Sequence, residues 1–138
     1  MSDFDKNKVT IFINKWMPLL ERIYSDESLK ERCKAYNAYI SSEESFELTK
    51  ELHFSEFLDE AYESDIVIND YQIFTDGKEE SVANPTDDFL LSLSTIDVMR
   101  CIAYHFRRDH FIEGSLINES FVNGALLRLF NCLISKLV

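Results

Sequence analysis

Apolar residues recur at spacings of three and four through the first segment, VTIFINKWMPLLERIY, where Val9, Phe12, Ile13, Trp16, Leu20 and Ile23 share the helical period. Ser2 followed three residues on by Asp5 has the form of a capping box and places the helix start there. Pro18 falls inside the pattern. It lacks a backbone donor and crowds the carbonyl four residues back, which predicts a kink or a break. A second helix is predicted from residue 28 to about residue 39.

The middle of the chain is less regular. AYISSEESFELTKELHF mixes aromatic and β-branched residues with acids and fits a loop or a short strand. SEFLDEAYESD reads as a short helix, with Phe54, Phe57, Leu58, Ala61 and Tyr62 on one side. IVINDYQIF is strand-like in composition, and TDGKEESVANP is rich in turn formers. Together they allow a small hairpin packed against helices.

The last third returns to a helical pattern. Ser94 with Asp97 three residues on forms another capping box, ahead of Ile96, Met99, Ile102, Ala103 and Phe106. Gly114 is placed to stop that helix, and Ser115 to cap a short turn after it. Gly124 opens a final helix on which Leu126, Leu127, Leu129, Phe130, Leu133, Ile134 and Leu137 form a broad apolar stripe, the mark of a core element or a subunit contact. No repeat or linker divides the chain. The expected fold is mainly α: one compact domain over residues 1–138, of about five or six helices, with the hairpin confined to the middle third.

Composition supports that reading. Hydrophobic residues make up 46% of the chain, enough for a core, while three Gly and two Pro are too few for the frequent turns of an all-β fold. Cys33, Cys101 and Cys132 lack metal or disulfide spacing, which points to reduced thiols. No apolar run is long enough to span a bilayer, and the start of the chain is too acidic for a signal peptide. A cytoplasmic protein without a membrane partner is the expectation.

The net charge of −11 is regional: residues 43–88 hold fifteen acids against two lysines, a balance of −13. Such a field repels nucleic-acid phosphates and attracts basic surfaces. Direct nucleic-acid binding is therefore disfavoured. Glu43, Glu44, Glu47, Glu51, Glu56, Asp59, Glu60 and Glu63 form the candidate acidic interaction surface, with a basic protein surface as the expected partner. A sharper form has these carboxylates mimic phosphates and occupy a nucleic-acid-binding protein, as an inhibitor of phage or mobile-element origin. A homodimer through the C-terminal helix is a further expectation.

The densest chemistry lies in HFRRDHFIEG, residues 105–114. On a helix, His105, Asp109 and Glu113 share one face, and His110 lies three residues before Glu113. Imidazole and carboxylate at those spacings suit a divalent metal or acid–base work. The competing reading is a set of charge pairs at a helix end, each worth about 0.2–0.5 kcal/mol, and it takes precedence. Arg107 and Arg108 point to different sides, so one is expected to reach a carboxylate such as Glu113 or a middle-region acid. Cys101 lies one turn before His105, but its apolar neighbours favour an inert buried thiol. His53 reads as a helix-start residue rather than a ligand. The six tyrosines read as packing residues. No phosphate loop, nucleophile elbow, zinc spacing or dinucleotide fingerprint occurs, so no catalytic residue, metal or cofactor is assigned.

The run LSTIDVMRCIAYHFRRDHFIEG, residues 93–114, ahead of an apolar helix near Gly124, resembles a bacterial and phage family of small proteins of unknown function. That family carries a late signature close to R-x-D/E-R-F-x-E-G. Arg107 or Arg108, Asp109, Phe111, Glu113 and Gly114 match it, whereas His110 stands where arginine is usual. HFSEFLDEAYESDIVINDYQ, residues 53–72, is similar to the family's middle helix and the extended segment after it. The resemblance covers about half the chain and implies no activity. It makes the 105–115 stretch read as a structural corner that doubles as a binding edge. The leading expectation is thus an interaction module, and the alternative a small enzyme or metal- or anion-binding protein that uses RRDHFIEG.

Overall fold

The computed structural model describes residues 4–39 and 42–137. Among them the chain forms α1 (Lys6–Ser25), α2 (Glu27–Ala35), α3 (Glu43–Glu51), α4 (Phe54–Glu63), α5 (Gln72–Thr75), α6 (Glu79–Ala83), α7 (Asp87–Leu91) and α8 (Thr95–Phe111), then a π turn (Leu116–Ser120) and α9 (Ala125–Leu137). The expected helical fold is present. The segment count exceeds expectation because α5, α6, α7 and the π turn are single turns of four or five residues. Among the described residues no helix is long and apolar enough to cross a membrane.

Asp5 caps α1, its carboxylate accepting from the Asn7 and Lys8 amides. Ser2 lies outside the described residues. Pro18 does not break the helix, which runs on to Ser25. The reason is placement: Pro18 and Asn14, whose carbonyl loses its donor, are both exposed, so water can solvate that carbonyl. On the other face Val9, Phe12, Ile13, Trp16, Leu20 and Ile23 are all buried.

The middle third departs from expectation. No strand occurs among the described residues, and the 38–54 stretch contains α3 in place of a loop or strand. Ser42 starts α3 by accepting from the Ser45 amide, with Glu43 and Glu44 in its first turn, where carboxylates suit the helix dipole. The 66–74 stretch, strand-like in composition, passes through bends and turns and ends in the helical turn α5. Its buried Ile66 and Ile68 enter the core, but no second strand lies beside it to complete a ladder. Arg100 of α8 fastens it by binding Asp70 at 3.1 Å and Asp97 at 2.8 Å.

α8 begins as expected, with the Ser94 hydroxyl accepting from the Asp97 amide. α9 packs on both α8 and α1. Leu126, Leu129, Phe130, Leu133 and Leu137 of its stripe are buried and Leu127 and Ile134 half-buried, so the stripe serves the core. Phe57 of α4 is the hub of that core. Its ring lies 5.6 Å from Phe12, 5.2 Å from Trp16, 5.5 Å from Phe106 and 5.7 Å from Phe121, joining α1, α4, α8 and the segment after the π turn. Phe57→Ala should cost about 3–5 kcal/mol in urea unfolding, from lost burial and the cavity left behind. A loss below about 1 kcal/mol would show that the cluster is not the organising core.

Candidate functional site

The charged stretch at the end of α8 forms a corner. Asp109 is buried, and its Oδ1 accepts from the amides of Gly114 at 3.2 Å and Leu116 at 3.0 Å. One carboxylate thus folds the chain back on itself between α8 and the π turn. Burial pushes its pKa up, while the two amide bonds and His110 act in the opposite direction. Gly114 sits at φ +95°, a region that L side chains avoid. A Cβ there would also lie 3.0 Å from the Tyr36 ring. Glycine is needed at this point for two separate reasons.

His105 is the second buried polar group of the corner. Its Nε2 lies 2.8 Å from the Val82 carbonyl oxygen, so that nitrogen carries the proton and donates. Nδ1 then accepts from the Ser120 hydroxyl at 2.7 Å. The neutral ring ties α6, α8 and the π turn together. Burial foremost, with Arg108 acting in the same direction and the Val82 carbonyl against it, lowers its pKa to about 4. Both ring nitrogens are engaged, so His105 has no free lone pair for a metal or for the Cys101 thiol. Burial pushes that thiol up to about 12.

The remaining corner residues diverge. His110, Phe111 and Glu113 are exposed, Phe111 at 74%. Arg108 binds Glu119 at 2.7 Å, and Arg107 donates to the Asn69 side-chain oxygen at 3.0 Å. One arginine does reach a carboxylate, but it is Glu119 rather than Glu113 or a middle-region acid, because α8 ends at Phe111 and Glu113 lies beyond it. The same ending removes Glu113 from the helical face shared by His105 and Asp109. Among the described residues no group of three or more His, Cys, Asp or Glu is placed to hold a metal ion. The geometry of RRDHFIEG is that of a corner braced from inside.

A family model described as a family of unknown function, DUF6508, matches residues 15–136. The chain belongs to the DUF6508 family. No curated protein and no solved structure matches it. The DUF6508 match takes in α2 through the π turn and most of α1 and α9, so both the corner and the acidic helices lie within the family's span.

Of the acidic residues in this DUF6508 chain, Glu51 binds Arg32 at 2.7 Å and Glu60 binds Lys15 at 2.7 Å. The Trp16 indole also donates to Glu60, at 3.2 Å. Those hydrogen bonds, Lys15 foremost, lower the Glu60 pKa. Glu56 lies 3.6 Å from His53, the helix-start residue of α4, which is held at φ 54°. Glu43, Glu44, Glu47, Asp59 and Glu63 are exposed and form no ion pair among the described residues. The candidate surface therefore divides into braces between helices and free carboxylates.

Two structural residues, Asn118 and Ser120, escaped the sequence reading, and Tyr36, expected as a packing residue, has a specific seat. Asn118 donates through its side-chain nitrogen to the Cys33 carbonyl at 3.5 Å and to the Tyr36 carbonyl, closing the C-terminal end of α2. Ser120 anchors His105, and Tyr36 covers Gly114. The signal was faint: Asn118 and Ser120 are polar positions inside the apolar run LINESF.

The buried imidazole gives a pH dependence of known sign. Unfolded His105 titrates near 6.5 and folded His105 near 4, so the unfolded chain binds the extra proton between those values. Stability from this group is complete above pH 6.5 and falls as pH drops towards 4. Asp109, raised in the folded state, acts in the opposite sense. His105→Gln keeps a donor for Val82 but does not titrate. Between pH 7 and pH 4.5 the natural chain should lose about 2–3 kcal/mol more than this variant in urea unfolding. Parallel profiles would show that His105 is not buried neutral.

Proposed function

We propose that the protein is an interaction module that docks a basic partner surface on its acidic helices α3 and α4. The observation that carries this reading is a set of exposed carboxylates on two adjacent helices that form no ion pair among the described residues: Glu43, Glu44 and Glu47 on α3, with Asp59 and Glu63 on α4. Each helix also exposes an aromatic ring, Phe46 at 62% and Tyr62 at 46%. Aromatic side chains are enriched at protein interfaces, and a surrounding field of one sign steers a partner of the other. Like charges at i, i+3 and i, i+4 on α3 repel by a few tenths of a kcal/mol per pair. A cationic partner relieves that repulsion.

The corner supports this reading by what it does not offer. Its buried His105 and Asp109 are engaged in bonds to backbone and hydroxyl groups, while His110 and Glu113 stand in solvent. Arg108 and Phe111 line a groove with Tyr71, Tyr104, Asp76 and Glu79, and His105, Asp109, His110 and Glu113 are not part of its lining.

A charge-neutralised variant tests the proposal: Glu43, Glu44 and Glu47 changed to Gln, and Asp59 and Glu63 to Asn or Gln. The natural chain should capture basic proteins from a lysate at low salt, release them by about 0.5 M salt, and lose them in the variant. The same partners on both forms would overturn the reading. Displacement of those partners by duplex DNA would mark the carboxylates as phosphate mimics.

A further inference from the structure

A groove of about 620 Å³ lies between α2 and α3. Ala35, Tyr36 and Leu48 supply its apolar lining, and Glu43, Glu44 and Glu47 stand along its α3 side. We propose that this groove takes a basic peptide segment with an apolar anchor, the anchor seating against Ala35 and Tyr36 and flanking Lys or Arg side chains meeting the three glutamates. The proposal rests on the interaction reading of the acidic helices and names the site and partner chemistry within it.

Charge complementarity sets the sign of the occupant. Two cations beside the groove are already engaged, Arg32 with Glu51 at 2.7 Å and Lys34 with Glu31 at 3.1 Å, while Lys50 of α3 lies over the Phe46 ring, 5.6 Å from its centroid. The three α3 glutamates have no such partner among the described residues, so the groove presents uncompensated negative charge. Two of them, Glu43 and Glu47, are four residues apart and repel each other across one turn.

The lining explains why charge alone is insufficient. Leu48 is buried and Tyr36 half-buried, giving an apolar surface beneath the carboxylates. Tyr36 is also fixed from behind. Its ring packs on Gly114, and its carbonyl accepts from the Asn118 side chain. A wall held in this way loses little freedom on binding, which favours a preformed recognition groove. The corner at the end of α8 therefore reaches the acidic surface through one tyrosine. Glu113, beyond the end of α8, adds its own negative field at Tyr36.

The test uses the full chain and two short synthetic peptides, one of lysines around a central leucine pair, the other with serines in place of the leucines. The leucine peptide should bind at low salt and shift the amide resonances of Ala35 and Ser45. The serine peptide should bind about tenfold more weakly. Ala35→Trp, which fills the groove at an exposed position, should weaken the leucine peptide about tenfold. The combined Glu43→Gln, Glu44→Gln and Glu47→Gln variant should do the same. Equal affinity for both peptides, or leucine-peptide binding that neither variant changes, would overturn the groove while leaving general docking on α3 and α4 intact. If neither peptide binds at low salt, both the groove and the interaction reading fall.

Discussion

The buried carboxylate of Asp109 is the constraint on which the rest of the corner depends. By holding the Gly114 and Leu116 amides it ends α8, reverses the chain and starts the π turn. An aspartate buried without partners would cost several kcal/mol, and two amides left unpaired in its place would each cost about 1–3 kcal/mol. Each side of the bond therefore satisfies the other. From that reversal follow the seat of Tyr36 on Gly114, the closure of α2 by Asn118 and the place of Ser120 beside His105.

The same arrangement connects two features far apart in sequence. The corner is nearly neutral in its internal bonding, with one carboxylate on backbone amides and one uncharged imidazole. The strong field lies elsewhere, on α3 and α4. Part of the middle-third acidity is structural: Glu51, Glu60, Asp70 and Asp87 each bind a basic residue on another element. Of the carboxylates left over, Glu43, Glu44, Glu47, Asp59 and Glu63 stand exposed on α3 and α4, and none of these five forms an ion pair among the described residues. A surface that stays charged after the helices are braced is available for a partner.

How far the chain could be read in advance depended on which force decided each element. α1, α8 and α9 were legible because long amphipathic periods and a local cap such as Ser94 act over neighbouring residues. Pro18 misled because its cost depends on whether the orphaned carbonyl meets water, which only the folded orientation decides. The 66–74 stretch misled because β-branched residues serve a buried bend or a helical turn as well as a strand, and pairing is a long-range property. α3 was missed because its short, acid-rich sequence has one buried position, Leu48, and so carries little periodic signal. At the corner, residue types identified the place, but the partners did not follow from spacing. Asp109 was grouped with Glu113 on an extended helix, whereas the helix stops first and the aspartate turns to the backbone.

Amide hydrogen exchange at Gly114 and Leu116 tests the central constraint most directly. In the natural chain these two amides should exchange as slowly as amides in the middle of α8, and in Asp109→Ala they should exchange at rates near those of an open turn while α1 and α9 stay protected. Fast exchange at both positions in the natural chain, or protection unchanged by Asp109→Ala, would contradict the account.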